Sequence, residues 1–349
     1  VAARAYSGDT PNFGPDYLIP SPFDPRLILR IAPAVAKAAA ETGVAKRPIE
    51  DMEAYIDRLN RFVFRSGLIM KPVFTAAKTA SRKRVIFAEG EDERVLRAAQ
   101  VLIEENIAEP ILIGRPSIIA NRLDRFGLKI RPQTDFEVVN PEDDPRFRSY
   151  VDDYFGLVGR KGVIPEAART IVRTNSTVIA ALALRRNEAD AMICGLEGRY
   201  QKHLRDVSQI IGKAPGVIEY AALSLLIGQR GATFLVDTSV CFDPSTEQIA
   251  AVTEMAAREI RRFGIVPRAA LLSHSNFGSR DSESSEKMRR AAALIKERDP
   301  DLEADGEMHG DSALSEILRR RVMPDTTLTG EANLLVFPKN LNHIDSTVM

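Results

Sequence analysis

Tryptophan is absent from the 349 residues, cysteine occurs only at Cys194 and Cys241, and net charge is missing altogether, with Lys+Arg and Asp+Glu both 48. Two thiols embedded in apolar or strand-like sequence give no disulfide framework and no zinc-type spacing, so both are expected to be buried and free. A balanced charge gives no reason to expect binding driven by nucleic-acid phosphates or by anionic lipid. Long hydrophobic runs are lacking too: AALSLLIG at Ala221–Gly228 is too short to span a bilayer. No basic-then-apolar leader opens the chain, so a cytoplasmic setting is expected, with neither nucleic acid nor membrane as partner. There is no Walker loop and no G-x-G-x-x-G, which removes the usual signals for nucleotide phosphates and nicotinamide.

What is present is an ordinary globular balance, 44% hydrophobic and 28% charged, over a length that suits two or three domains. Pro11, Pro15, Pro20, Pro22 and Pro25 crowd the opening and favour an extended path there. Leu27–Thr42 is Ala-rich with helical apolar spacing, and Gly43 stands where a C-cap glycine would end it. Ile49–Phe64 reads as a further amphipathic helix, and the basic connector Thr79–Arg84 leads into a regular alternation. Short strands are expected at Arg84–Glu89, Pro110–Gly114, Ala191–Gly195, Ala232–Val236, Ala269–Ser273 and Leu334–Phe337. Helices fill the gaps at Glu93–Glu105, Ala167–Arg173, Thr177–Arg186, Thr246–Phe263, Ser284–Lys296 and Ser312–Arg321. The clearest is Thr246–Phe263, with Ile249, Val252, Ala256, Ile260 and Phe263 in one stripe and Ser245–Gln248 fitting a capping box. Such alternation predicts an α/β fold, mostly parallel sheets flanked by helices on both faces.

In sheets of this kind ligands settle outside the carboxyl ends of the strands. Ser273–Ser279, between a strand and a charged helix, offers hydroxyls and free amides suited to a phosphate or a thioester carbonyl. It reads equally as a polar connection, with Ser282 or Ser284 capping the helix. Glu307, His309 and Asp311 are metal-ligand types, but a turn points them apart and no fourth ligand is near, so Asp311 capping the Ser312 helix is the simpler reading. Gly195–Arg205 gathers Arg199, Lys202, His203 and Arg205 into a basic edge, either a phosphate-holding surface or a solvated face.

The order EGEDERVLRAA (Glu89–Ala99), AMICG, LSHSNFGS, DGEMHGDSAL and LTGEANLLVFP resembles the phosphotransacetylase (phosphate acetyl/butyryltransferase) family over about Arg82 to Pro338. The upstream stretch GPDYLIPSPFDPRLILRIAPAVAKAAAETGVAKRPI is similar to the C-terminal tail of bacterial malic enzymes. Together they resemble the hybrid multidomain NADP-dependent malic enzymes. That resemblance implies residues 1–65 as a malic-domain tail and linker, and 66–349 as a phosphotransacetylase-like domain. Within it, 66–215 plus 325–349 would form one subdomain and 216–324 the other, with a CoA-binding cleft between them. It also implies a homodimer through this domain and acetyl-CoA as allosteric inhibitor. An upstream domain would use NADP and a divalent metal (Mg or Mn) to decarboxylate malate oxidatively to pyruvate and CO2.

The departures from the active pattern matter most. Where active transferases carry a small hydroxylated run before a catalytic Arg, this sequence has the bulky Glu197–His203 run, although Arg205 matches the Arg. A second active-site Arg is replaced by Val158, with only Arg160 nearby, and the family's closing Ser-Arg-Gly segment is not found before the ending Lys339–Met349. Losing one preorganised cation typically costs about 10²–10³ in rate. The resemblance therefore implies an acetyl-CoA site at Arg205, Ser273, Ser275, Asn276, Gly278, Ser279, Asp311 and Asn333, with no catalytic residue, no cofactor and no metal in this chain. An active phosphate acetyltransferase and a purely structural assembly module are the alternatives.

Overall fold

The computed structural model describes residues 25–63, 65–228 and 231–339. The proline-crowded opening and the segment after Lys339 lie outside the described residues. Three helices come first: α1 (Pro25–Glu41), α2 (Met52–Val63) and α3 (Arg65–Thr79). Gly43 follows α1 with φ +73°, the left-handed conformation that ends a helix cheaply only at glycine.

A first lobe then runs β1 (Lys83–Phe87), α4 (Glu93–Glu104), β2 (Ala108–Ile113), α5 (Pro116–Arg125) and β3 (Glu137–Val139). It continues with α6 (Phe147–Val158), α7 (Pro165–Thr174), α8 (Ser176–Arg185), β4 (Ala191–Ile193) and α9 (Tyr200–Ile210). Its four strands are parallel in the order β3-β2-β1-β4, pairing Phe87 with both Leu112 and Ile193. Because successive residues of a strand face opposite ways, the sheet feeds two cores. Ile86 and Ile113 pack with Tyr150 and Leu182 on one face, Phe87 and Leu112 with Leu96 and Ile119 on the other.

An irregular connector, 211–223, leads to the second lobe. This comprises β5 (Ser224–Gly228), β6 (Gly231–Val236), α10 (Thr246–Arg262), β7 (Arg268–Leu272), α11 (Glu283–Arg298), β8 (Glu303–Met308), α12 (Gly310–Ala313), α13 (Glu316–Val322) and β9 (Leu334–Val336). The sheet order is β5-β6-β9-β7-β8, with β5 antiparallel to β6 and the other pairs parallel. Again the pleat divides the core: Leu271 and Leu334 face α10 and α11, while Leu272 and Leu335 face Met308 and Phe337. The box expected before α10 is formed, with Ser245 Oγ accepting from the Gln248 amide and Gln248 Oε1 from the Ser245 amide at 2.8 Å.

Four expectations are corrected. Residues 334–336 do not return to the first lobe: β9 inserts between β6 and β7, because an apolar strand buried on both faces requires hydrogen-bonding neighbours on both edges. Ser312–Arg321 is not one helix but α12 and α13, broken where Ser315 caps the second by accepting from the Leu318 amide. The stretch around Glu307 is the strand β8 rather than a turn. Cys194 and Cys241 are free but only half-buried.

Candidate functional site

The carboxyl edge of the first sheet opens into a crevice of about 270 Å³, lined chiefly by the residues that follow β1 and β2 and by Ser176 and Glu197. The turn after β1 is drawn tightly against β2. A Cβ on Gly90 would lie 2.7 Å from the Ile113 carbonyl oxygen, so only glycine fits there. Four carboxylates line the crevice, those of Glu89, Glu91, Asp92 and Glu197, against the single guanidinium of Arg122.

Most of these acids have a structural partner. Glu89 Oε1 accepts the Gly195 amide at 2.9 Å, tying the end of β1 to the end of β4. Glu91 receives Arg115 Nε and Nη2, both at 2.9 Å, and the hydrogen bond from Arg115 holds its carboxyl below the usual range despite partial burial. Arg122 Nη1 donates to the Glu91 carbonyl. Asp92 caps α4 and takes the Arg94 guanidinium, which likewise holds its carboxyl down.

The Glu197–His203 run is a short turn, Glu197–Arg199, followed by the first turn of α9. His203 Nε2 contacts the Glu197 carbonyl at 2.6 Å and His203 Nδ1 the Thr177 hydroxyl at 2.8 Å. A neutral imidazole satisfies both, donating to the carbonyl and accepting from the hydroxyl. On the next turn of α9, Asp206 is buried and receives Asn175 Nδ2 at 2.8 Å and Lys202 Nζ at 3.0 Å. Arg205 itself is exposed and forms no salt bridge with a described residue. Val158 is 1% exposed in the core of the first lobe, so no charged group stands at its position, and Arg160 is exposed in the turn beyond α6.

In the second lobe the Ser273–Ser279 loop follows β7, and its polar groups are largely spent on each other. Ser273 and Ser275 are fully buried. Ser275 Oγ donates to Glu307 Oε1 at 2.8 Å, and the Gly278 amide reaches the same oxygen at 2.8 Å. Arg289 Nε and Nη2 complete the ring around Glu307 at 3.0 and 3.1 Å. Burial alone would raise the Glu307 carboxyl, but Arg289, the Gly278 amide and the Ser275 hydroxyl together hold it below its ordinary value. Glu307 was legible in the sequence only as a possible metal donor; its role is to anchor this loop. Asn276 Nδ2 donates to Ser312 Oγ at 3.1 Å, while its Oδ1 accepts the His309 amide at 3.2 Å. Ser279 Oγ accepts the Asn276 amide at 2.8 Å, and Gly278 and Ser279 are left exposed. His274 is bonded to Ser282 Oγ at 3.2 Å. Asp311, exposed within α12, takes the Ser312 amide at 2.6 Å. Glu307 and Asp311 thus serve separate partners and do not converge as metal donors.

Asn333 is corrected. Its Oδ1 accepts the Arg268 amide at 2.7 Å and its Nδ2 donates to the Val266 carbonyl at 2.8 Å. It therefore stitches the amino ends of β7 and β9, about one strand length (~15 Å) from the loop at the carboxyl end. Buried and spent on these two backbone partners, it offers no free polar group to a ligand held by Ser273–Ser279. The remaining members divide between lobes: Ser273, Ser275, Asn276, Gly278, Ser279 and Asp311 lie at one sheet edge, Arg205 on α9. Among the described residues no hydrogen bond or salt bridge joins Arg205 to that loop. The helix does reach the second lobe through Gln201 Nε2, which donates to the Ser239 carbonyl at 3.1 Å.

The family profile described as Phosphate acetyl/butaryl transferase matches residues 68–343. The NAD-dependent malic enzyme of Rhizobium meliloti (strain 1021) is 76% identical over 348 residues, covering 100% of this chain and 45% of the relative. The NADP-dependent malic enzyme of Escherichia coli (strain K12) is 52% identical over 97% of this chain and 44% of its own length. The chain thus spans less than half of these relatives. Among solved structures, a phosphotransacetylase from Streptococcus pyogenes superposes with a TM-score of 0.72 at 27% identity, covering 80% of this chain and 83% of the other.

Proposed function

Since the chain belongs to the phosphate acetyl/butaryl transferase family, we propose that it is a regulatory, acetyl-CoA-binding and oligomerising part of a malic enzyme, itself inactive as a transferase. The longer polypeptide would decarboxylate malate oxidatively to pyruvate, with its dinucleotide and its Mg or Mn ion held upstream of this chain. The names of the relatives are divided between NAD and NADP, so the choice of dinucleotide is not carried over.

The observation that supports the inactive reading is Val158, an apolar side chain 1% exposed where the resemblance expects an active-site arginine. Transfer of an acetyl group from a thioester to phosphate needs cations aimed at the developing oxyanion, and the guanidinium among the crevice's lining residues, Arg122, stands beside carboxylates that already occupy Arg115 and Arg94. Binding needs less. The Ser273–Ser279 loop is held by hydrogen bonds to Glu307, its Gly278 and Ser279 are exposed, and Arg205 is an exposed cation on α9 with no salt bridge to a described residue. Assembly through this portion is supported by Leu318 and Val322, 40% and 49% exposed, which share one face of α13 at i,i+4 spacing.

Removal of residues 80–349 from the longer enzyme separates sensor from scaffold. The expected result is malate oxidation that no longer responds to acetyl-CoA. An unchanged response in a dissociated enzyme would assign the region to assembly alone.

A further inference from the structure

A second cavity lies away from the carboxyl-edge site, between the connector and α10, with a volume of about 330 Å³. That is within the lower range of small-molecule sites. Its floor is the core of the second lobe, Val236, Val252 and Ala256, and its sides are Ala221, Leu223 and Met255. Such a surface recognises a hydrocarbon or aromatic body and offers it no polar partner.

Three charged residues, Glu219, Arg258 and Glu259, also line it. Glu219 is already engaged, by the Tyr220 amide at 2.9 Å, by Gln248 Nε2 at 3.0 Å and by Lys213 Nζ at 3.4 Å. Glu259 is held by Arg262 Nη1 at 3.0 Å. Arg258 is exposed, and its guanidinium makes neither a hydrogen bond nor a salt bridge with a described residue. The cavity therefore pairs an apolar interior with one uncommitted positive charge.

We propose that this cavity binds a small amphipathic anion, a carboxylate with an apolar body, its head on Arg258 and its tail against Val252, Ala256 and Met255. The wall it touches is the connector between the lobes. That wall is pinned to the turn after β6, where the Ala222 amide donates to Asp237 Oδ1 at 2.9 Å and Cys241 Sγ to the Tyr220 carbonyl at 3.4 Å. The same turn receives Gln201 of the first lobe at Ser239. A ligand here sits where the two lobes are joined, and its binding is independent of the acetyl-CoA reading.

The test is titration calorimetry of the 349-residue chain with octanoate, and with octylammonium as the charge-reversed probe. Saturable octanoate binding is expected, weakened about tenfold or more in Arg258→Glu and about as much when octylammonium replaces octanoate. Met255→Trp, which fills the cavity from its side, should abolish it. Each variant must show the wild-type thermal transition, and should Met255→Trp not fold, the head-group comparison and Arg258→Glu decide. No octanoate binding up to about 10 mM, equal binding of both probes, or undiminished binding by folded Arg258→Glu overturns the proposal.

Discussion

Glu307→Gln is expected to lower the stability of the second lobe by about 2–4 kcal/mol, toward the lower end of the cost of breaking a buried ion pair. Glu307 is 1% exposed at its side chain, whereas Arg289 is 42% exposed and regains water once its partner is neutral. In a lobe of this size that corresponds to a fall of roughly 5–15 °C in melting temperature. One carboxylate collects the Ser275 hydroxyl, the Gly278 amide and two Arg289 nitrogens, so the whole Ser273–Ser279 loop should loosen together.

The pH dependence has a definite sign. A native carboxyl held below its ordinary value of 4.5 contributes stability that is fully present above that value and is lost as pH falls through the depressed native one. The wild-type chain should therefore lose stability more steeply than Glu307→Gln on acidification below about pH 4.5. Circular dichroism melts at pH 7 and on the acid side check both parts. A Glu307→Gln melt within 1–2 °C of wild type, roughly the shift a fraction of a kcal/mol produces, would show that the ion pair does not hold this loop.

The second large effect concerns acetyl-CoA. The chain is expected to bind it saturably, and Arg205→Glu to weaken that binding by about tenfold or more, since it replaces an exposed attractive charge by a repulsive one. Asn333→Ala is the control. Asn333 joins the opposite edge of the sheet, so its loss should destabilise by about 1–3 kcal/mol through the unpaired Arg268 amide and Val266 carbonyl. Its affinity should be unchanged below the melting range. Calorimetry on the three proteins separates these outcomes. Binding that is insensitive to Arg205→Glu would remove α9 from the site, and binding lost in folded Asn333→Ala would contradict the placement derived from the hydrogen bonds.

What the sequence disclosed was set by local chemistry. The capping box at Ser245–Gln248 and the apolar stripe on α10 follow from short-range rules, and both are formed. The alternation of short apolar runs with amphipathic stretches foretold mostly parallel sheet flanked by helices, while the division into two lobes is implied only by the family resemblance. Three features escaped because long-range pairing decides them. Strand β8 reads as a polar turn, EADGEM, yet Leu272 beside Met308 and Arg289 beside Glu307 make it a strand with a buried acid. Strand β5 reads as a bare apolar run, and only its hairpin with β6 identifies it as an antiparallel edge. Asn333 precedes the strand at Leu334–Phe337 and is placed at the cleft by the family resemblance alone; that it lies at the amino edge rests on the parallel insertion of that strand between β6 and β7. The Ser273–Ser279 loop was legible as polar, but the Ser275 hydroxyl turns inward to Glu307 and the Ser273 and Ser279 hydroxyls accept amides of the loop itself, leaving Gly278 and Ser279 as exposed members.

Whether a thioester site has been kept without turnover is decided by assaying acetyl phosphate formation from acetyl-CoA and phosphate on the folded chain. With a buried Val158 where the family resemblance leads one to expect an arginine, the expected rate is indistinguishable from the protein-free background. Catalytic formation of acetyl phosphate that scales with protein concentration would contradict it.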